Sequence, residues 1–519
     1  MDDLAQPGGP GAGVAAAGHP ERWRILAVLD ICLVMVVMAV SSLNVAIPTL
    51  IRDLAASPSQ IQWIVDAYAL VFAGLLLPCG ALGDRFGRKG ALLTGLGVFA
   101  AAALASTLAD DAAQLIGARA VMGVGAALIM PATLSIITTV FPAHERPKAI
   151  ATWAAFAGAG GALGPVISGL LLSRFWWGSI FFINVPVALV AAGLIVRKAP
   201  TSRDPAEARL DPLGAGLSVL GFGTLLYGII QGPEHGWTSG SVLGAFALGA
   251  AALGLFVWVE LRSAAPMLDP RLFKIPAFAM GSWIITAVFF GMFGFFFLIS
   301  QYLQLVKGYS PLRAAFATLP SAATMIAVAP RAPALAGRIG AKRSVSVALL
   351  LVAAGLGLCA LLRPGTPYVA VAPILVLLAA GSALTMPVAT SAIVSSLPLA
   401  KAGVGSAVND TTREVGGALG IAVLGSILSS GYRASAAGLA EGLPANAAPL
   451  VRDSLGGALR AAETALPVDL ADTVLVGARA AFADGTQAAF AVAAAVMVVT
   501  ALAVIRWFPA AAHLHRGEG

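Results

Sequence analysis

The fold of this chain is decided by the stretch Gly80-Ala-Leu-Gly-Asp84-Arg85-Phe-Gly87-Arg88-Lys89, which lies between two long apolar segments. Charges and glycines concentrate in this stretch, whereas the residues on both sides of it are almost wholly apolar. The pattern is typical of a tight turn between two membrane helices, where charged side chains meet water and lipid headgroups. We call residues 80–89 the gating loop.

A degenerate copy of the gating loop follows later in the chain, as Pro333-Ala-Leu335-Ala-Gly337-Arg338-Ile-Gly340-Ala-Lys342. Gly340 in the copy corresponds to Gly87. The same offset relates Ser57-Pro58, at the start of one apolar segment, to Ser310-Pro311 at the start of another. Equal offsets predict two parallel repeats of six helices, as in many transporters, with a helix pair at 213–259 inserted between them.

The composition places the chain in a membrane. Of its 519 residues, 59% are hydrophobic and 11% are charged, whereas soluble domains carry about 25% charged residues, so a soluble enzyme is excluded. The net charge of +7 is explained by the Lys and Arg excess that orients membrane helices, and we expect no nucleic-acid partner. We also expect no cofactor or metal, because no zinc spacing or phosphate loop occurs and three dispersed cysteines lie in apolar segments: Cys32, Cys79 and Cys359.

Fourteen apolar stretches are long enough for a bilayer, which takes about 20 residues per helix. Backbone groups in lipid must be satisfied internally, so the predicted fold class is an all-α polytopic membrane protein. The predicted spans are 25–48, 62–82, 91–109, 114–139, 150–173, 179–197, 213–231, 241–259, 277–300, 312–335, 345–362, 368–390, 403–429 and 487–507.

The distribution of Lys and Arg orients these spans. If the N-terminus is cytoplasmic, the short outer loops hold only Arg52, Arg174, Lys307, Arg313 and Arg363, and the other basic residues concentrate inside. Both termini are therefore predicted to be cytoplasmic. The chain divides into a disordered tail at 1–22, an N-terminal six-helix bundle at 23–198, the inserted pair at 199–262, a C-terminal bundle at 263–507 with an outer loop at 431–486, and a tail at 508–519.

Several further motifs carry a family resemblance. They are Leu43-Asn44-Val45-Ala46-Ile47-Pro48, Arg119-Ala-Val-Met122-Gly123-Val-Gly125-Ala-Ala127, Gly160-Gly-Ala-Leu-Gly164-Pro165-Val-Ile-Ser168-Gly169 and Phe182-Ile183-Asn184-Val185-Pro186. Together with the gating loop, they make nearly the whole chain resemble the major facilitator superfamily, specifically its fourteen-helix drug:proton antiporters. Three positions depart from that pattern: Met122 replaces a common glutamine, Ser168 replaces a glycine, and Ala39 stands where an acidic residue is frequent.

The resemblance implies two six-helix bundles plus the inserted pair, and a transporter rather than an enzyme. It implies proton-coupled efflux of amphipathic, cationic or neutral drugs by alternating access in the cell membrane. The expected partners are a small-molecule substrate, protons and membrane lipids, and we expect a monomer. A dedicated exporter of one metabolite, antibiotic or lipid is the alternative; an importer, a membrane-embedded enzyme and a scaffold are less favoured.

Asp66 is the strongest candidate for proton coupling. It lies early in a predicted helix that begins at the outer face, where a charge costs roughly 2.5–3.5 kcal/mol on insertion scales and so should face the protein interior. Arg119 lies about as deep in another helix that begins at the same face, so we expect the two side chains to approach each other. A static buried ion pair without a transport role is the alternative.

A second charged group lies about halfway through the thirteenth span. Arg413 can reach Asp410 at i,i+3, and Glu414 shares a face with Asp410 at i,i+4. The pairing would leave Glu414 the more easily protonated acid, although coupled carboxyls titrate together. A role in proton or cation binding and a purely structural network both remain open.

The remaining acids are less informative. Asp30 lies two turns into the first span, where a role in the transport pathway and a helix-end carboxylate that reaches the interface are both open. Glu260 and Asp211 flank the inserted pair, and we expect them to be solvated.

Two motifs are expected to act through shape and contact. In the gating loop, Asp84 and the basic residues Arg85, Arg88 and Lys89 can hold helix ends and headgroups, with Gly80 and Gly87 shaping the turn; breaking these contacts would free one bundle to rock against the other. The stretch Gly160–Gly169 resembles the family's antiporter motif, and we call it by that name. In it, Gly160, Gly164 and Gly169 permit close helix approach and Pro165 bends the helix. A topology anchor and close packing without function are the respective alternatives.

Overall fold

The computed structural model describes residues 18–142, 144–201, 211–263, 266, 268–397 and 402–509. Within them, thirteen helices are long and apolar enough to cross a membrane. The remaining predicted span, 150–173, coincides with the helix Arg146–Leu172, of which Leu163–Leu172 forms a shorter apolar segment. The prediction of an all-α polytopic membrane protein is confirmed.

The N-terminal bundle is built from α1 (Arg22–Ser41), α2 (Leu43–Asp53), α3 (Pro58–Phe86), α4 (Arg88–Thr107), α5 (Ala112–Val140), α6 (Arg146–Leu172), α7 (Ser179–Phe182) and α8 (Asn184–Lys198). The inserted pair consists of α9 (Pro212–His235) and α10 (Gly240–Arg262).

The C-terminal bundle follows with α11 (Pro276–Gln301), α12 (Pro311–Ala317), α13 (Leu319–Val328), α14 (Ala332–Ile339), α15 (Ala341–Cys359), α16 (Tyr368–Ser395), α17 (Ala402–Ala436), α18 (Ala448–Asp453), α19 (Leu455–Thr464) and α20 (Val468–Trp507). A π-helical turn, Tyr302–Val306, extends α11.

Corresponding helices of the two repeats begin with corresponding caps. At the start of α3, the Ser57 side chain accepts a hydrogen bond from the backbone N–H of Gln60, whose side chain accepts from Ser57 in return. This capping box fixes the helix start. At the start of α12, Ser310 accepts from the backbone N–H of Arg313 in the same way.

The first predicted span is not one continuous helix. It divides into α1 and α2 at Ser42, and Pro48 lies inside α2. Proline has no N–H to donate, so the carbonyl oxygen of Asn44, one turn earlier, has no helical partner. That oxygen is available to another helix.

The helix packing joins the two bundles along α3 and α17. In the N-terminal bundle α3 packs along α5, in the C-terminal bundle α11 packs along α17, and α3 meets α17 between them. The inserted helix α9 packs against both α3 and α17. The inserted pair therefore lies across the junction of the two bundles instead of standing apart from them.

Two predicted boundaries are wrong. The last helix begins at Val468, well before residue 487, and α17 continues to Ala436. With α18 and α19, most of the predicted outer loop 431–486 is helical. The many alanines of this segment favour helix formation. Its charged residues interrupt the apolar pattern, so hydropathy alone does not identify it as part of a membrane-spanning helix.

The predicted tails fall mainly outside the described residues, at 1–17 and 510–519. The described part of the first tail is attached to the N-terminal bundle. The backbone N–H of His19 donates to the carbonyl of Val140 at 2.9 Å, and Arg22 pairs with Glu145 at 2.6 Å.

Candidate functional site

The two bundles are hydrogen-bonded to each other near the end of the molecule far from the N-terminus of α1. Ser300 Oγ donates to the carbonyl of Asn44 at 2.6 Å, and Gln304 Nε2 donates to the carbonyl of Val45 at 3.0 Å. The first acceptor is the oxygen that Pro48 leaves unpaired in α2. We call this region, where α2 meets α11 and its π-helical turn, the closed end.

Glycines bring backbones together at the closed end. A Cβ atom at Gly169 in α6 would lie 2.9 Å from Leu312 Cα in α12, closer than side-chain carbons pack. Gly425 of α17 likewise leaves no room for a Cβ atom beside the Gln62 side chain of α3. The two bundles are therefore in close contact at this end.

The other glycines of the antiporter motif act inside the N-terminal bundle. A Cβ atom at Gly160 would lie 3.2 Å from Val34 Cα, and one at Gly164 would collide with Ser41. Both glycines bring α6 against α1, while Pro165 lies inside α6 and Ser168 is fully buried. The motif thus packs α6 against α1 on one face and against the C-terminal bundle at Gly169.

Asp66 is fully buried in α3, and neither of its carboxylate oxygens has a hydrogen-bond partner in the part of the chain that the structure describes. Asp66 and Arg119 form no ion pair within 4.0 Å among the described residues. Arg119 is held elsewhere by backbone groups. A buried charged group without a partner is costly, so Asp66 is suited to take up a proton or a cation.

Arg119 is also fully buried, and backbone carbonyls hold it in place. Its Nε donates to the carbonyl of Ile64 at 3.0 Å, and its Nη1 donates to the carbonyl of Ala39 at 3.2 Å. The guanidinium carbon stands 4.4 Å from the centre of the Tyr68 ring. Ala39 is the position at which the sequence departs from the pattern it resembles, in which an acid is frequent. It contacts this arginine through its backbone carbonyl.

The second charged group in α17 is compensated within itself. Arg413 Nη1 lies 3.6 Å from Asp410 Oδ1, and the guanidinium stands 4.8 Å from the Phe289 ring centre. Asn409 donates to Asp410 at 3.4 Å and accepts from Thr390 Oγ1 at 3.0 Å. Glu414 is 8% exposed, and its Oε2 has no hydrogen-bond partner among the residues that the structure describes.

Asp30 is buried in α1, at 3% exposure, and its Oδ1 has no hydrogen-bond partner within the described ranges. A carboxylate that reached the membrane interface would be exposed. The structure therefore favours an interior position for this side chain over a solvated helix end.

The described contacts of the gating loop remain inside the N-terminal bundle. Arg88 Nη1 donates to Thr139 Oγ1 at 2.7 Å, and Lys89 Nζ donates to the carbonyls of Val196 and Ala199, at 2.8 Å each. Gly87 has φ +123°, a conformation that favours glycine. These contacts join α4 to α5 and α8, and the shape of the loop depends on Gly87.

The other loop residues add little to these contacts. The guanidinium of Arg85 stands 5.4 Å from the Phe86 ring centre, and Gly80 approaches Pro131 of α5. The side chain of Asp84 lies outside the described part of the structure.

The inserted helix α9 supplies contacts that the sequence did not reveal. Ser59 Oγ of α3 donates to Glu234 Oε2 at 2.6 Å, and Ser426 Oγ of α17 donates to the carbonyl of Ile229 at 2.7 Å. Arg433 of α17 donates to the carbonyl of Pro233 at 2.5 Å. One helix thus holds both bundles, a role that polar residues next to apolar segments, such as Glu234, could have suggested.

The prediction that Glu260 and Asp211 are solvated is wrong for Glu260. Glu260 is 1% exposed and accepts from the backbone N–H of Leu268 at 3.1 Å. Asp211 caps α9 by accepting from the backbone N–H of Gly214 at 2.8 Å. Both acids serve backbone donors, which a sequence pattern does not display.

Comparison with known proteins agrees with this architecture. The family model described as Major Facilitator Superfamily matches residues 29–421. The chain belongs to the major facilitator superfamily. Membership makes it a multi-pass membrane transporter rather than an enzyme, which confirms that part of the sequence analysis.

Relatives within the superfamily cover nearly the whole chain. The multidrug efflux pump LfrA of Mycolicibacterium smegmatis is 38% identical over 94% of this chain and 96% of its own length. The methyl viologen resistance protein SmvA of Salmonella typhimurium is 34% identical over 94% of this chain and 98% of its own length. The tetracenomycin C resistance and export protein of Streptomyces glaucescens is 32% identical over 96% of this chain and 93% of its own length.

A solved structure supports the same fold. A bacterial homologue of the human lysosomal transporter Spinster, in an inward-facing and unoccupied conformation, has a TM-score of 0.65 to this chain. The match covers 94% of this chain and 98% of that one at 18% identity. The two proteins therefore share the major facilitator fold.

Proposed function

We propose that this superfamily member exports amphipathic cationic or neutral drugs across the cell membrane in exchange for protons. The observation that carries the proposal is the isolated, fully buried carboxylate of Asp66 beside the junction of the two bundles. The names of LfrA and SmvA, both efflux or resistance proteins, point to the same substrate class.

The proposed cycle follows from the closed end. Because the bundles are in contact at the closed end, substrate would reach the interior from the opposite side. The distribution of Lys and Arg predicts that this side, together with both termini, is cytoplasmic. Opening the other way requires the contacts of Asn44 and Val45 with α11 and its π-helical turn to break. Substrate and proton must then bind the two states unequally, because equal affinity shifts no equilibrium.

The proton site follows from electrostatics. A carboxylate without a partner inside a protein is stabilised either by a proton or by a cationic substrate. Among the described residues, Asp66 and Glu414 each have at least one oxygen without a hydrogen-bond partner, so a proton arriving from outside can displace the cation from either acid. The protein is expected to work as a monomer among membrane lipids.

The test is drug uptake into inverted membrane vesicles, with a panel of cationic dyes and neutral antibiotics. We expect accumulation of several chemically unrelated compounds, abolished when an ionophore that exchanges protons for potassium collapses the pH gradient. Accumulation that survives this collapse would refute proton coupling.

A dedicated exporter of one antibiotic is the second candidate. It is favoured by the similarity to the tetracenomycin C resistance and export protein. Transport of a single compound from the same panel would support it over the broad-specificity proposal.

A further inference from the structure

A cavity lies where the inserted pair meets the two bundles. Helices α3, α9, α10 and α17 line it, and it is open at its mouth, with about 620 Å³ of empty space when the open space at the mouth is counted. Its walls therefore come from both bundles and from the inserted pair. We call it the lateral groove, because the inserted pair forms its outer wall.

The walls of the lateral groove are mostly carbon. Phe222 of α9 and Phe256 of α10 line it from the inserted pair, and Ala69 of α3 and Ala418 of α17 line it from the two bundles. Aromatic rings and methyl groups favour an apolar ligand body, and ring faces also attract cations. The hydroxyl of Ser218 lines the wall as well but is already bonded, to the carbonyl of Ala215.

Glu414 is the ionisable residue among those that line the groove. Its side chain is more than nine-tenths buried, and Oε2 has no hydrogen-bond partner within the described residues. The neighbouring Arg413 does not neutralise it by a direct ion pair, because its guanidinium is paired with Asp410 and stacked on Phe289. An apolar chamber with one unpartnered carboxylate is complementary to an apolar body with one positive charge.

The groove lies in the half of the membrane near the chain termini. Ser218 is within two turns of the start of α9, and Phe256 is within two turns of the end of α10. The opposite face of α10 carries exposed apolar residues, Leu255 and Trp258 among them, as expected for a helix against lipid. A molecule dissolved in the nearer leaflet would thus have a short path to the groove.

We propose that the lateral groove binds lipophilic monocations taken from the membrane leaflet, with the charge at Glu414 and the apolar body between Phe222 and Phe256. The inserted pair then acts as a substrate-binding wall. This inference deepens the proposed function and rests on it for the direction of transport. A lipid acyl chain would fit the walls but leave Glu414 without a partner.

Two probes of equal shape and opposite charge test the site on the purified full-length protein in nanodiscs. The probes are tetraphenylphosphonium and tetraphenylborate, and binding is measured by equilibrium dialysis. We expect the protein to bind the cation and Glu414→Gln to weaken that binding about ten-fold or more, the loss of one charge-assisted contact. Tetraphenylborate binding should not weaken. Equal effects on both probes would show an acyl-chain or nonspecific site and overturn the inference.

A groove-filling variant locates the site. Ala418→Phe places a ring in the groove and should reduce cation binding, whereas Ala250→Phe, at an exposed position of α10, should not. A photoreactive phosphonium should label α9 and α10 in the wild type, a readout that does not depend on the folding of a variant. Labelling confined to other helices would overturn the inference while leaving proton-driven export intact. Labelling of α9 and α10 without a pH-driven flux would refute the proposed function and leave the site standing.

Discussion

Each bundle places an arginine within its membrane-spanning helices, fully buried Arg119 in one and partly exposed Arg413 in the other, and the two are held differently. In the N-terminal bundle, Arg119 is held by the carbonyls of Ile64 and Ala39, and Asp66 has no hydrogen-bond partner among the described residues. In the C-terminal bundle, Arg413 pairs directly with Asp410. Carbonyl groups do not titrate, so Arg119 stays in place whether or not Asp66 carries a proton. The partner of Arg413 does titrate, so that contact depends on protonation.

The difference assigns separate tasks to the two bundles. In the N-terminal bundle, Asp66 can take up and release a proton while the contacts of Arg119 stay the same. The C-terminal bundle offers a network in which a proton on Asp410 would loosen Arg413. Four substitutions or conditions sharpen or break this comparison, beginning with the largest expected effect.

Arg119→Lys should be far more damaging than Arg413→Lys. The guanidinium fork of Arg119 donates from two nitrogens to two carbonyls and stacks on Tyr68, which a lysine ammonium cannot reproduce. Arg413 is partly exposed and makes one ion pair, to Asp410 at 3.6 Å, and one ring contact, to Phe289; a lysine can take over the ion pair. Thermal unfolding in detergent and pH-driven drug uptake should both show the difference. Equal losses in the two variants would contradict the comparison.

Much of this arrangement was predictable, for physical reasons. Apolar length and basic loops determine a membrane topology, and the offset between Ser57 and Ser310 exposes the repeat because a helix cap has strict chemistry. The partner of Arg119 was not predictable, because backbone carbonyls are present in every sequence. A direct ion pair between Arg119 and Asp66 is absent among the described residues for that reason. The position of the inserted pair depends on tertiary packing, which hydropathy does not encode.

The network in the C-terminal bundle should behave as a unit. Arg413→Gln leaves the partly exposed Asp410 without its cation and should destabilise the protein, whereas adding Asp410→Asn should recover part of the loss. The coupling between contacting groups is typically about 0.5–3 kcal/mol in a double-mutant cycle. Denaturant unfolding of the single and double variants gives this value. Additive losses would show that the 3.6 Å contact contributes nothing.

The closed end provides a steric test of the same rocking motion. Gly169→Ala places a methyl group 2.9 Å from Leu312 Cα, so α6 and α12 must separate and the sealed state should be destabilised. Gly193→Ala is the matched control, because nothing lies within 4 Å of a Cβ atom there. Cysteine cross-linking between α6 and α12 should fall only in the first variant. An unchanged yield would show that the bundles do not depend on this approach.

The smallest effect is expected at the surface, outside the spans. A hydrogen bond from Arg22 holds the pKa of Glu145 below its ordinary value, and one from Lys198 does the same for the pKa of Glu21, with Arg24 assisting. A depressed folded-state pKa stabilises the fold above the unfolded-state pKa, about 4.3, and this contribution is lost as the pH falls through the folded-state value. Glu145→Gln should therefore slightly lower the unfolding temperature at neutral pH and not in acid. A difference that grows with acidity would contradict this sign.

The central claim is that Asp66 exchanges its proton for cationic substrate. Its most direct test compares two fluxes in proteoliposomes containing Asp66→Asn, with Asp110→Asn, at an exposed loop position, as the control. The account predicts that Asp66→Asn loses pH-driven accumulation of a cationic dye but retains dye exchange down its own gradient, while Asp110→Asn keeps both. Undiminished pH-driven accumulation in Asp66→Asn would contradict it.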